Sequence, residues 1–205
     1  GYLLIATYMY GYKDSEAVLE RPEALGRRAL ALYPNLQLAH LVMGVVSFFR
    51  FHREPYLVEL DQALQLNPNH GFHVASIAFQ LCMAGEWERG LKLMEKAMRL
   101  NPHHPGAYHV VPFMNHYRLG EYDLALNEAL RLNTSGFFWD PLIRAAALGQ
   151  LGRQAAAKKA VDELLALVTD FGRRGRRLIR RVAYLDEHVD VLVEGLSKAV
   201  LELVG

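Results

Sequence analysis

The sequence contains very little cysteine and has almost no net charge. Cys82 is the only cysteine in 205 residues, which excludes a framework of disulfides within the chain and is typical of a reducing compartment. Lys and Arg together number 23 and Asp and Glu number 22, so no overall electric field attracts the chain to nucleic acid or to an anionic membrane. We therefore expect a cytoplasmic location and no nucleic-acid partner.

Long apolar runs and catalytic motifs are also missing. No apolar stretch reaches membrane-spanning length, and the apolar start GYLLIATYMYGY lacks the basic residues and the small-residue cleavage site of a signal peptide. None of the motifs G-x-S-x-G, G-x-G-x-x-G, H-E-x-x-H, C-x-x-C or the P-loop occurs. We expect no enzyme activity, no cofactor and no membrane span. Because the chain begins with Gly1, we interpret it as a piece of a longer protein.

A small residue and a proline recur at a fixed interval. The stretches ALALYPNL, ALQLNPNH and AMRLNPHH begin at Ala29, Ala63 and Ala97, so both intervals are 34 residues. In WERGLKLMEKAMRL the apolar residues follow the spacing of one helical face, and Asn101-Pro102 ends that helix because proline lacks an N–H. Each unit therefore predicts a helix, a short turn, a second helix and a turn that carries proline.

Small residues predict a close contact between the two helices of a unit. Gly44 and Ala78 occupy equivalent places in first helices, and Gly90 and Ala125 occupy the facing place in second helices. Larger side chains there would cost about 1–3 kcal/mol each through overpacking.

These residues resemble the tetratricopeptide repeat (TPR), a helix-turn-helix unit of about 34 residues. The match rests on Gly85-Glu86-Trp87, Gly90, Ala97 and Pro102, and in the fourth unit on Gly120-Glu121-Tyr122 and Ala125. The fourth unit's second helix is expected to be three residues shorter, and Thr134 replaces its proline. The resemblance implies an all-α fold, a TPR-type α-solenoid, which is a right-handed superhelix of antiparallel helix pairs with a C-terminal capping helix. Four to five repeats would span residues 1–170, and residues 171–205 would form a basic connector and the capping helix.

The later part of the chain is similar to a narrower group of TPR regions. The run from NPHHPGAYH to VLVEGLSKAVLE resembles the bacterial TPR regions that follow class III adenylate/guanylate cyclase-like domains or winged-helix regulatory domains. This resemblance implies a non-catalytic regulatory or interaction module of a larger, cytoplasmic bacterial signalling protein.

The first helices of such an array line a concave surface, where we expect a partner to bind. Positions at i, i+3, i+7 and i+10 of these helices should point inward. The partner-binding residues that we predict are Phe48, Phe72, Phe79, His109, Phe113 and His116. TPR domains that hold chaperone carboxylates use Lys, Asn and Arg here, so the resemblance favours instead an apolar peptide or helix of unknown identity. The alternative is that these side chains pack on neighbouring helices or under a terminal helix that lies in the groove.

Three further features of the sequence are candidate sites. His70 with His73, and His109 with His116, have spacings that could suit a metal, but the missing cysteine or carboxylate ligands favour surface or capping roles and no metal. Pro112 predicts a kink inside a helix, either as a packing irregularity or to free a carbonyl near Tyr108 for a ligand.

The basic run RRGRRLIRR, at Arg173 to Arg181, could bind acidic partners, but the acidic stretch DEHVD beside it favours a salt-bridged helix. The final helix carries an apolar stripe that would cap the last repeat or pair with a second subunit. A structural homodimer with a self-filled groove is therefore the alternative function, and a small-molecule or metal sensor is a third.

Overall fold

The structure is a computed structural model that describes residues 2–11, 13 and 15–203. In these residues every regular element is helical, with twelve α-helices and two short 3₁₀ turns. The chain divides into two compact units, Gly1–Pro102 (unit 1) and His103–Gly205 (unit 2). This partition differs from the predicted division at residue 170, which stays a prediction.

The helices of each unit follow one another along the chain with short connections. Unit 1 contains α1 (Tyr2–Met9), a 3₁₀ turn (Glu16–Leu19), α2 (Glu20–Leu32), α3 (Gln37–Phe49), α4 (Arg53–Leu66), α5 (Gly71–Met83) and α6 (Trp87–Leu100). Unit 2 contains a 3₁₀ turn (Gly106–His109), α7 (Val110–Arg118), α8 (Tyr122–Leu132), α9 (Trp139–Gln150), α10 (Gln154–Leu167), α11 (Phe171–Arg180) and α12 (Asp186–Lys198). None of the helices so described is both long and apolar enough to cross a membrane.

Four helix pairs form antiparallel hairpins, and each hairpin turn contains one residue with positive φ. The pairs are α3–α4, α5–α6, α7–α8 and α9–α10. Gly85, Gly120 and Gly152 take φ values of 90°, 76° and 66°, a region that costs glycine little. Phe51 takes φ 58° at the corresponding place in the α3–α4 turn, where the sequence has no glycine.

The predicted small-residue contacts hold the hairpins together. A Cβ on Gly90 of α6 would lie 2.9 Å from the backbone oxygen of Ala78 on α5 and would also overlap the Cys82 thiol. A Cβ on Gly44 of α3 would lie 2.7 Å from Cδ2 of Leu60 on α4. The close approach of α5 and α6 therefore depends on glycine, because the obstacle is backbone that cannot rotate away.

The fourth hairpin, α7–α8, differs from the others as its sequence suggested. α8 has 11 residues whereas α4, α6 and α10 have 14, so the predicted shortening by three residues is confirmed. Asn133 follows α8 with φ 36°, a left-handed conformation that ends the helix.

The predicted kink at Pro112 is wrong. α7 begins only at Val110, after the 3₁₀ turn, so Pro112 is its third residue. In the first turn of an α-helix the backbone N–H has no partner within the helix, and proline therefore breaks no hydrogen bond there.

Four arginines of the basic helix α11 form salt bridges with nearby carboxylates. Asp170 pairs with Arg173 and Arg174, Asp190 pairs with Arg176, and Asp186 lies 2.9 Å from the guanidinium of Arg180. The prediction of a salt-bridged helix is confirmed for these four arginines.

Candidate partner-binding surface

In unit 1, the helices α3 and α5 each have an apolar stripe on the side away from their hairpin partners. On α3 this stripe lies opposite His40, whose Nδ1 pairs with Glu59 of α4 at 2.7 Å. We define the first-helix face of unit 1 by five residues that share these stripes: Leu38, Phe49, Phe72, Ser76 and Phe79. Leu38 and Phe72 are 43% and 47% exposed, so this face presents apolar surface to solvent.

The N-terminal helix α1 lies on the first-helix face of unit 1. The Tyr2 ring meets the Phe72 ring edge-on at 5.4 Å, and the Tyr8 ring meets Phe49 at 5.6 Å. The Tyr2 hydroxyl and Ser76 Oγ are 2.9 Å apart, and burial raises the pKa of Tyr2 despite this hydrogen bond. α1 thus touches α3 and α5 through rings and one hydroxyl, and Leu3 on its outer side is 82% exposed.

His73 lies beside this face and has a structural partner. Its Nδ1 donates to Gln37 Oε1 at 2.7 Å, and Gln37 Nε2 donates to the backbone oxygens of Ala63 and Asn67 at the end of α4. Burial, and to a smaller extent the neighbouring His70, lower the pKa of His73, because both disfavour its charged form. His73 therefore joins α5 to α3 and α4 as a neutral group.

In unit 2, α12 lies on the first helix α9 and also contacts Tyr117 of the first helix α7. The Tyr117 hydroxyl donates to the backbone oxygen of Val191 in α12 at 3.1 Å. A Cβ on Gly195 of α12 would lie 2.7 Å from the oxygen of Ala146, and a Cβ on Gly149 would lie 2.8 Å from the nitrogen of Ala199.

α12 is held in this place by apolar burial and by polar contacts at its end. Val189, Leu192 and Leu196 are fully or almost fully buried. The Lys198 ammonium donates to Gln150 Oε1 at 2.7 Å, and Gln154 Nε2 donates to the Lys198 oxygen at 3.1 Å. In unit 2, an amphipathic helix of the chain itself therefore packs on first helices.

The six predicted binding residues fall into three groups: two rings on the face, two buried rings and two histidines. Phe72 and Phe79 lie on the first-helix face of unit 1, where their role in binding stays a prediction. Phe48 packs edge-on against Tyr56 at 5.9 Å and is 2% exposed, and Phe113 stacks on Tyr117 at 5.3 Å and is 0% exposed. These two buried rings offer no surface to a partner, and we leave them out of the proposed site.

The two histidines of α7 and its 3₁₀ turn point to carboxylates. His109 Nδ1 lies 2.7 Å from Glu128 of α8, and His116 Nδ1 lies 2.6 Å from Glu121. Gly85 and Gly120 are 35 residues apart, one more than the earlier interval of 34, so the inward positions shift by one residue. The sequence prediction therefore missed Tyr117, and aligning the units on their turn glycines would have found it.

Two clefts lie outside these faces. One, of about 550 Å³, occupies the place of the last turn that α8 lacks, and in it Arg144 bridges Asp140 at 2.7 Å and Glu163 at 2.5 Å. The other, of about 520 Å³, lies between α2, α3 and α4, where Glu23 pairs with Arg27 and Arg50. In both clefts these charged side chains are already paired with one another. Within the described part of the chain, no group of three or more His, Cys, Asp and Glu side chains could hold a metal ion.

Comparisons with known proteins support this architecture. No family model matches the sequence, and no curated protein matches it. The structure is similar to PilW, a widely conserved type IV pilus biogenesis factor, with a TM-score of 0.68 and 16% identity over 97% of this chain and 96% of that one. It is also similar to YrrB, a TPR protein with an unusual peptide-binding site, with a TM-score of 0.54 and 16% identity over 85% and 90% of the two chains. These likenesses and the stacked hairpins show that the chain has the all-α fold of TPR proteins, a TPR-type α-solenoid.

Proposed function

We propose that this chain is a non-catalytic protein–protein interaction module that binds an apolar peptide or helix on the first-helix face of unit 1. The observation that carries the proposal is that Leu38 and Phe72 are 43% and 47% exposed. Both residues lie on first helices, which line the concave surface of a repeat protein. Exposed apolar surface is typical of interaction sites.

The chain itself gives an example of the chemistry that such a face accepts. In unit 2, the first helices α7 and α9 contact α12, an amphipathic helix that buries Leu192 and Leu196 and meets Tyr117. Because the units share one architecture, a helix of similar character is the ligand that best fits unit 1. The peptide-binding site of YrrB is consistent with a peptide as partner.

A peptide selection on the whole chain tests this function. Displayed peptides would be selected for binding, and the enriched sequences would be synthesised and titrated by fluorescence anisotropy. We expect apolar peptides whose affinity falls at least tenfold in Leu38→Glu and in Phe72→Glu. Val58→Glu is the matched control, because Val58 is 67% exposed but lies on α4. Enriched peptides that bind all three variants equally would refute the proposed site.

A homodimer remains the alternative function, and the burial of α12 restricts which surface could form the dimer interface. The apolar stripe of α12 that was expected to pair with a second subunit is buried within its own unit, at Val189, Leu192 and Leu196. A dimer would therefore need another surface, and we favour the interaction module with a different protein.

We further propose, from the resemblance in the sequence, that the chain is a regulatory part of a larger cytoplasmic bacterial signalling protein, with repeats over residues 1–170 and a connector and cap over residues 171–205. The gene sequence upstream of this chain tests this point. A cyclase-like or winged-helix domain there supports it, and a secretion signal there would contradict it.

A further inference from the structure

We propose that the first-helix face of unit 1 is a docking site for a partner helix with aromatic and aliphatic residues three positions apart, and that α1 occupies this site until such a helix displaces it. The inference rests on the proposed function and adds to it the chemistry of the partner and a means of regulation.

The pattern of the partner follows from the contacts that α1 makes. Tyr2, Ile5 and Tyr8 are three residues apart and form one side of the helix. The two tyrosine rings lie on Phe72 and Phe49, and Ile5 is 2% exposed. A helix with an aromatic, an aliphatic and an aromatic residue at these positions would therefore bury the same surface.

The residues of this face and its surroundings also indicate which charge the contact side of the partner helix should carry. α1 contains no charged residue in its sequence YLLIATYM, and its hydroxyl meets the neutral Ser76. The neighbouring His73 is bonded to Gln37, and burial lowers its pKa, so it adds no positive charge near neutral pH. An uncharged contact side is therefore preferred, because a charge placed there would lose its hydration without gaining an opposite charge.

α1 is held less firmly than α12. Of these two terminal helices, α1 is therefore the one that a partner can displace. α12 has 13 residues, and its backbone touches α9 directly at Gly195 and Ala146. α1 has 8 residues, and Leu3, next to Tyr2, is 82% exposed. Isolated helices shorter than about 12–15 residues are marginal in water, so α1 depends on its packing for its helical form. A longer partner helix would cover more of the face.

Occupation by α1 lowers the apparent affinity of the site for an outside helix. A tethered segment competes at an effective concentration of the order of millimolar. The apparent dissociation constant of the outside helix is inversely proportional to the fraction of chains in which the site is open. Weakening α1 should therefore strengthen binding of the same sequence supplied as a separate peptide.

The test uses the full chain and a labelled peptide with the sequence of residues 2–11, YLLIATYMYG, extended by two lysines for solubility. Binding is measured by fluorescence anisotropy to the unmodified chain, to Tyr2→Ala and to Leu3→Ala. We expect Tyr2→Ala to bind the peptide at least tenfold more tightly than the unmodified chain. Leu3→Ala, which changes an exposed residue, should bind it as the unmodified chain does. A peptide with alanine in place of both Tyr2 and Tyr8 should not bind.

The second half of the test places the peptide on the proposed face. Adding Phe72→Ala to the Tyr2→Ala chain should remove the gain in affinity, and circular dichroism melts confirm that each variant is folded. Equal binding to Tyr2→Ala and to the unmodified chain, or binding unaffected by Phe72→Ala, would overturn the inference. If selected peptides bind through Phe72 but gain nothing from Tyr2→Ala, the docking function stands and only the competition by α1 fails. If no peptide binds any variant, the proposed function fails as well.

Discussion

Replacing Gly195 by alanine should loosen α12 from α9. Gly195 lies within α12, where alanine by itself would stabilise the helix by about 1 kcal/mol. A Cβ at this position would lie 2.7 Å from the backbone oxygen of Ala146 and would also overlap the Tyr117 hydroxyl. Overpacking costs about 1–3 kcal/mol, and the upper end applies because backbone cannot rotate aside. We therefore expect the free energy of unfolding to fall by about 2 kcal/mol.

Equilibrium unfolding in urea, followed by circular dichroism, measures this change. Gly172→Ala in α11 is the matched control, because among the residues that the structure describes its Cβ would meet only the Glu202 oxygen within 4 Å, at 3.6 Å. The control should be as stable as the unmodified chain or slightly more stable. If Gly195→Ala behaves like the control, the direct backbone contact between α12 and α9 is refuted.

Two further changes test the contacts around the two faces. Tyr117→Phe removes the hydrogen bond donated to Val191 and should lower the free energy of unfolding by about 1 kcal/mol in urea, whereas Tyr33→Phe, at an exposed position, should leave it unchanged. An equal effect of the two would contradict the role of Tyr117 in holding α12. For His73, whose pKa burial lowers from 6.5, the unfolded chain binds the proton more readily than the folded one. Stability should therefore fall as the pH drops below 6.5, and His73→Gln should lose less stability over that interval in urea titrations at several pH values. Parallel pH dependence of the variant and the unmodified chain would count against this assignment.

The hairpins could be predicted from the sequence because their signals are local. The facing pair Ala78 and Gly90, the turn at Gly85 and the shortened α8 each follow from residues within one unit. Helical periodicity and proline positions report such features without knowledge of the rest of the chain.

The positions of α1 and α12 could not be predicted in the same way. Periodicity shows which side of a helix is buried but not which partner covers it. The stripe of α12 predicted a cap on the last repeat, and α12 does pack on α9 of that repeat, but its contact with the small residues Ala146 and Gly149 could not be read from periodicity. On α7 the predicted inward positions stop at His116, one residue before Tyr117, because one extra residue in the interval shifts the register, and a shift of one position turns a helical side chain by about 100°.

The two hairpins of unit 1 have the same architecture, although the residues at one equivalent contact are large in the first hairpin and small in the second. This difference limits which helices can be exchanged between the hairpins. In α3–α4, the rings of Phe48 and Tyr56 pack against each other. At the equivalent contact between α5 and α6, the residues are Cys82 and Gly90. A recombination event that paired α3 with α6 would place the Phe48 ring opposite Gly90. The spacing between the two helices would then suit neither the ring nor the glycine. Duplication and recombination at the proline-bearing turns keep each matched pair intact. The heritable building block is therefore the whole hairpin, and single helices are not interchangeable between units.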